Sequence, residues 1–390
     1  MKKRMKFLAI VLGVSLLSSA CTKTPTNEGE PLNTTVNSTA STKNENQNKL
    51  DVLRPAAYGN VEGLTLEPGS YISIIGRYSD DSYWKEVEEG AERAVEDINS
   101  ALGYKGDDKI KLTYSAPDIR DDVDEQINIL DEELARYPIA VCIAAIDTTA
   151  CLVQFDLAIE NSIPIVTFDS GSDYQNIAAH ISTDNIEAAE TAASQLASLI
   201  GGTGEVAVFA QDSFSMTAKN REQGFLDKLA SDFPDMSVVN VYHFDQLETV
   251  AKEIAEETNA LLAEGEEPID PSSLSQEDIV EYILEKHPDL KGIYATNLDT
   301  TQLVANVITG LERDDLYFIG FDGGEEQLDL LEKDVVDGLI IQNPYGMGYA
   351  TVVAAARNAL ELGNEAVIDS GYTWVTKELL EDPQVSKMLY

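Results

Sequence analysis

The chain is poor in cysteine, histidine and positive charge, and each shortage removes a class of function. Three cysteines in 390 residues cannot build a disulfide scaffold, and none has zinc-site spacing. Cys142 lies in an apolar run and Cys151 opens the segment after it, so core packing is the expected role of both. Three histidines, His180, His243 and His287, leave little general-base chemistry, and no G-x-S-x-G elbow is present. Neither G-x-G-x-x-G nor G-x-x-x-x-G-K-[ST] occurs at a strand–helix junction, so the usual phosphate cradle of a nucleotide site is missing. Against 69 acidic residues stand 27 basic ones, a net charge of −42. Such a surface repels nucleic acid and anionic membranes alike. The acidic clusters at Asp122-Val123-Asp124-Glu125 and Asp131-Glu132-Glu133 lack the EF-hand spacing and its central glycine, and read as solvated helix faces. No metal or cofactor is expected.

What the chain has begins with an address. Lys2, Lys3, Arg4 and Lys6 precede an apolar run over residues 7–17, then Ser18-Ser19-Ala20-Cys21. A charged start, a short apolar stretch and small residues describe a secretory signal, and the run is short for a membrane span. Cys21 directly after Ala20 resembles a bacterial lipoprotein signal, which implies removal of residues 1–20, a lipid on Cys21 and an extracytoplasmic location on the outer face of the cell membrane. Cleavage takes away four positive charges and leaves a net charge of about −46. Residues 21–65, rich in Thr, Asn, Ser, Glu and Lys, are expected to form a flexible tether, because they carry too little apolar surface to offset their ordering entropy.

From residue 71 onward, β-rich apolar runs alternate with segments of helical spacing. The runs fall at 71–75, 110–114, 139–146, 163–168, 205–210, 238–244, 292–295, 316–321 and 339–342. The helical segments fall at 84–102, 125–134, 186–199, 218–230, 247–262, 301–311 and 349–362. This alternation predicts an α/β fold, with doubly wound parallel sheets covered by helices on both faces. In such sheets ligands bind beyond the carboxyl ends of the strands, and polar groups recur there. Asp81, Tyr83 and Trp84 follow the first run, Asp147 the third, Asp169 the fourth, Asn297 the seventh, Asp322 the eighth, and Gln342 closes the ninth. Carboxylates and amides pair with neighbouring hydroxyls, and aromatic faces cover the C–H face of a sugar ring. Taken singly, each acid or amide is as well explained as a turn former or helix cap.

Seven ordered patterns sharpen this reading. They are Tyr83-Trp84-Lys85-Glu86-Val87-Glu88-Glu89-Gly90-Ala91, Ile163-Pro164-Ile165-Val166-Thr167-Phe168-Asp169, His180-Ile181-Ser182-Thr183-Asp184-Asn185, Thr217-Ala218-Lys219-Asn220-Arg221-Glu222-Gln223-Gly224-Phe225, Ala295-Thr296-Asn297, Gly320-Phe321-Asp322-Gly323 and Ile341-Gln342-Asn343-Pro344. In this order the chain resembles the type I solute-binding proteins of ribose and galactose type, from about residue 70 to its C-terminus. The resemblance implies two lobes joined by a hinge of three crossings, near Thr183-Asp184, Gln342-Tyr345 and Ile368-Tyr372. The implied domains are 66–183 plus 345–370 and 184–344 plus 371–390. It implies Asp81, Tyr83, Trp84 and Asp169 as first-lobe contacts, Lys219, Asn297 and Asp322 as second-lobe contacts, and Gln342 at the hinge. Ribose-type proteins carry Asn in place of Asp81, Arg in place of Ser170 and Arg in place of Lys219, which argues against ribose itself but not against a sugar. An anionic guest is not expected, since Lys219 is the one cation in the set.

The implied function is a substrate-binding lipoprotein of an ABC sugar importer, not an enzyme, acting as a monomer with a membrane permease as partner. A sensor that reports the same ligand to a chemoreceptor or kinase is the alternative, and neighbouring permease and ATPase genes would separate the two. A glycoside hydrolase with paired carboxylates and a transcriptional regulator on the same fold are weaker rivals; export and the charge of −42 oppose the regulator. The acidic segment between Thr258 and Gln276 is expected to be a surface excursion.

Overall fold

A computed structural model describes residues 46–80, 82–263 and 267–390. Cys21, the leader and Asp81 lie outside the described residues. The described residues form one compact unit holding two six-stranded sheets.

The first sheet contains β1 (Tyr71–Ile75), β2 (Lys111–Ser115), β3 (Ala140–Ile143), β4 (Ile165–Phe168), β5 (Ala179–Ser182) and β11 (Val367–Asp369) in the order β11-β5-β4-β3-β1-β2, all pairs parallel. The second contains β6 (Gly204–Ala210), β7 (Met236–His243), β8 (Leu290–Ala295), β9 (Tyr317–Phe321), β10 (Gly338–Gln342) and β12 (Tyr372–Val375) in the order β12-β10-β9-β8-β6-β7. The two share one winding, so the second lobe repeats the first. One strand departs from the all-parallel expectation: β12 pairs antiparallel with β10, because the chain returns through the hinge and runs back along an open edge. Central strands such as β3 and β4 are buried at every position, as their unbroken apolar runs predict.

Helices cover both sheets. In the first lobe these are α2 (Ser82–Leu102), α3 (Val123–Leu134), α4 (Leu152–Glu160) and α11 (Pro344–Ala359). In the second they are α5 (Asn185–Ile200), α6 (Met216–Asp232), α7 (Leu247–Asn259), α8 (Gln276–Lys286), α9 (Leu298–Gly310) and α10 (Glu325–Glu332). Side-chain caps fix several starts: Asp122 accepts from the Glu125 amide, Asp184 from that of Glu187 and Ser215 from that of Ala218. Helix α11 is buried over nearly its whole length, and its Pro344 sits where no intrahelical N–H is needed.

The chain passes between the sheets after β5, after β10 and after β11. At these crossings Thr183 donates to Gln342 Oε1 (2.9 Å), Asn343 Nδ2 donates to the Ser370 carbonyl (2.8 Å), and the Ser370 amide donates to the Ser182 carbonyl (2.8 Å).

The tether expected over residues 21–65 is corrected in its second half. Residues 46–65 are folded onto the first lobe. Helix α1 (Gln47–Asp51) leads into a two-way backbone bridge between Arg54 and Asp369, and Leu50, Leu53, Tyr58, Leu64 and Leu66 are buried. Composition averaged over the segment hid four of these apolar anchors, Leu66 standing just past its end. The Lys49 carbonyl accepts from Asn343 Nδ2 (2.7 Å), and Lys49 Nζ pairs with Glu86 (2.7 Å), so this segment clasps the hinge from outside.

Cys142 and Cys151 are buried and free. His180, half-buried on β5, shares a hydrogen bond with Thr167 (2.9 Å), and burial lowers its pKa to about 4. Its neutral form is favoured in the folded state, while the unfolded chain takes up a proton near pH 6.5. Its effect on stability is therefore neutral above that pH and increasingly unfavourable as pH falls from about 6.5 towards 4. A His180→Gln variant is expected to gain melting temperature relative to the parent across that window. A constant difference from pH 7.5 to 4.5 would count against this.

Candidate ligand-binding site

A cleft opens between the carboxyl ends of the two sheets, at the points where each winding reverses direction. There the loops after β1 and β6 diverge from those after β3 and β8. Of the expected residues, Tyr83, Trp84, Asp169, Asn297, Asp322 and Gln342 line this one cavity. Trp84 and Asp169 of the first lobe thus face the same space as Asn297 and Asp322 of the second.

Asp169 and Asp322 are counterparts. Each follows the last residue of a central strand, β4 or β9, and each takes a left-handed backbone, φ 55° and 70°. Asp tolerates that region better than branched residues do, and the turn aims the carboxylate into the cleft. The Tyr83 phenol donates to Asp169 Oδ1 (2.6 Å). Asp322 accepts from Gln342 Nε2 (2.7 Å) on Oδ1 and from the Leu298 amide (2.9 Å) on Oδ2. Burial raises the pKa of both acids, opposed chiefly by Arg77 at Asp169 and by Arg221 at Asp322. Burial also lifts the Tyr83 phenol well above its usual range, so it remains a donor.

Asn297 has a double duty. Its Oδ1 caps α9 by accepting from the Thr300 amide (3.0 Å), while its side chain also faces the cavity. The helix-cap reading and the ligand reading of this residue are therefore compatible. Tyr83 and Trp84 meet edge to face, centroids 5.1 Å apart, and Trp84 meets Phe168 at 6.4 Å. Gln342 is committed on both sides, to Thr183 and to Asp322, and couples a hinge crossing to a cavity carboxylate.

Lys219 is corrected. It is exposed on α6 and does not line the cavity, because Arg221, two residues on and so on the opposite face of the helix, is the one turned to the cavity. Arg221 is buried, donates to Asn185 Oδ1 (2.7 Å) and to the Thr296 carbonyl (2.7 Å), and stacks on the Phe321 ring at 3.8 Å. The expectation of a single cation falls with it, since Arg77 and Arg120 also line the cavity. Arg77 holds Asp121 (2.7 Å) in its own lobe and reaches Asp212 (3.6 Å) in the other. Arg120 reaches Asp299 across the same gap (3.4 Å). These two ion pairs span the mouth of the cleft and favour the closed arrangement.

All but one of these missed residues carried readable signals. Arg77 stands two residues beyond β1, and Gln211 and Asp212 follow β6 directly, so the strand-end rule that selected acids and amides would have found them if applied to every strand and to cations. Arg221 lay in a motif already singled out. Arg120, on the long loop after β2, had no local signal.

The comparisons agree with this geometry. A family model described as a periplasmic binding protein domain matches residues 72–364. A D-apiose import binding protein of Paraburkholderia graminis is 23% identical over 302 residues, covering 77% of this chain and 84% of that one. A carbohydrate transporter solute-binding protein of Agrobacterium radiobacter, solved with D-arabinose, superposes with a TM-score of 0.66 at 26% identity, covering 84% of this chain and 100% of that one. An ABC transporter solute-binding protein of Agrobacterium vitis, bound to α-D-tagatopyranose, gives 0.67 at 25% identity, with coverages of 82% and 99%. These relatives are binding proteins of transport systems and not enzymes. With two like-wound lobes, three crossings and a polar cleft between them, the chain belongs to the periplasmic binding protein family, in its type I form.

Proposed function

We propose that this chain is the extracytoplasmic substrate-binding component of an ABC sugar importer, that it closes around a monosaccharide, and that a lipid on Cys21 holds it at the outer face of the membrane. The observation that carries the reading is the pairing of Asp169 and Asp322, one from each lobe, across a cavity walled by Tyr83 and Trp84. Two carboxylates accept from two pairs of ring hydroxyls, and Trp84 offers an aromatic surface to the ring's C–H face. Arg77 and Arg221 offset the two acids, so the guest needs no charge of its own. The sugars named for the relatives are pentoses and a ketohexose, in keeping with a guest of this size.

The moving bodies are 66–183 with 345–370, carrying the docked 46–65 segment, and 184–344 with 371–390. A sugar that touches both lobes binds the closed state more tightly than the open one and shifts the balance towards closure. The permease then meets a closed body. The test is a thermal-shift screen of the mature chain against aldopentoses, hexoses, ketohexoses, inositols and nucleosides. At a hundred times its Kd the right sugar adds about 2.7 kcal/mol of stability, roughly several degrees in melting temperature. No shift with any sugar would remove the reading.

A further inference from the structure

One aromatic residue reaches the site from a segment that no strand-end pattern marks. After β12 the chain makes a short turn (Lys377–Leu379) and then runs along the second lobe, pinned by the buried Val385 and Met388. This brings Tyr390 between the lobes. Its phenol oxygen donates to Asp322 Oδ1 (3.3 Å) and accepts from the Gly323 amide (3.3 Å). Its ring meets that of Tyr83 edge to face, centroids 5.9 Å apart. Tyr83 belongs to the first lobe and itself donates to Asp169. Tyr390 packs against the cores of both lobes.

We propose that Tyr390 is a positioning residue of the binding site, which holds the Asp322 carboxylate in place and latches the closed arrangement against Tyr83. The proposal rests on the sugar-binding reading for its affinity arm, and on geometry alone for its closure arm. Asp322 Oδ1 already takes one hydrogen bond from Gln342 and Oδ2 one from the Leu298 amide, and the phenol adds a further one on Oδ1. The ring contact with Tyr83 exists only while the lobes are together. The two parts of the side chain therefore have separable effects: the hydroxyl sets how well Asp322 is aimed, and the ring sets how readily the cleft stays shut.

The experiment compares Tyr390→Phe and Tyr390→Ala with the parent chain. Small-angle scattering without sugar reads closure, and titration calorimetry with D-arabinose, α-D-tagatose and D-apiose reads affinity. Tyr390→Phe is expected to keep the parent radius of gyration and lose about tenfold in affinity for whichever of the three the parent binds. Tyr390→Ala is expected to show a larger sugar-free radius of gyration and about a hundredfold loss, so that Phe rescues closure but not affinity. A purely structural role in the C-terminal segment would lower the melting temperature of both variants without this split. If Tyr390→Ala scatters as the parent does and binds as the parent does, the proposal is overturned. If the parent binds none of the three sugars, the affinity arm tests the function and not Tyr390, and the scattering of Tyr390→Ala decides the latch alone.

Discussion

Replacing Asp169 by Ala is expected to reduce sugar affinity several hundredfold while the chain stays folded. The carboxylate stands where it can accept from two adjacent hydroxyls. A hydrogen bond to a charged group contributes about 1.5–3 kcal/mol, so losing two costs about 3–4 kcal/mol after partial replacement by water. At about 1.4 kcal/mol per tenfold, that is a factor of several hundred. The substitution also takes from the Tyr83 phenol its Asp169 Oδ1 acceptor and leaves it the weak acceptor Met347 Sδ (3.6 Å). The backbone does not depend on the side chain: the Asp169 amide is bonded to the Ile181 carbonyl (2.8 Å). Ala is strained at φ 55°, by roughly 1–2 kcal/mol, so a modest fall in melting temperature accompanies the loss. Asp169→Asn separates the two effects, since Asn tolerates the left-handed region and keeps the shape without the charge. Calorimetric titration gives the affinities and circular dichroism the folded state. Parent-like affinity in both variants would take Asp169 out of the site.

Gly348→Ala is expected to destabilise the protein by about 3 kcal/mol. Helices α2 and α11 cross with their backbones in direct contact. A Cβ on Gly348 would stand 1.9 Å from the Val87 carbonyl oxygen, and one on Gly90 would stand 2.0 Å from that of Tyr345. Both obstacles are backbone, so no rotamer relieves them, and the helices must move apart. Since α11 begins at the crossing marked by Asn343 and Pro344, its displacement also disturbs the hinge. Ala ordinarily favours a helix over Gly by about 1 kcal/mol, so a net loss isolates the clash. Gly310→Ala, at the end of α9, is the control, since its Cβ would meet nothing within 4 Å. That variant is expected to melt at or slightly above the parent temperature. Equal melting temperatures for Gly348→Ala and the parent would refute the account.

Much of the binding cleft was legible because it repeats. Asp169 and Asp322 occupy equivalent strand ends in the two lobes, and a rule that finds one finds the other. Lys219 shows where the rule stops. Both Lys219 and Arg221 sit in the same motif, and which of them faces the cleft depends on how α6 is rotated against β6, which no local pattern encodes. Strands β5, β11 and β12 escaped notice for a related reason: they are short, and their pairing is supplied by edges that form only when distant segments meet.

By itself the sequence determined the strand–helix alternation, the burial of the central strands and the identity of the strand-end acids, because hydrophobic period and turn chemistry act over a few residues. The tertiary structure alone decided that residues 46–65 clasp the hinge, that Arg120 enters the cavity and Arg221 rather than Lys219 faces it, and that Tyr390 stands beside Asp322. Those contacts join positions as far apart as Lys49 and Asn343. Their free energy comes from packing and hydrogen bonds that exist only after both sheets have formed.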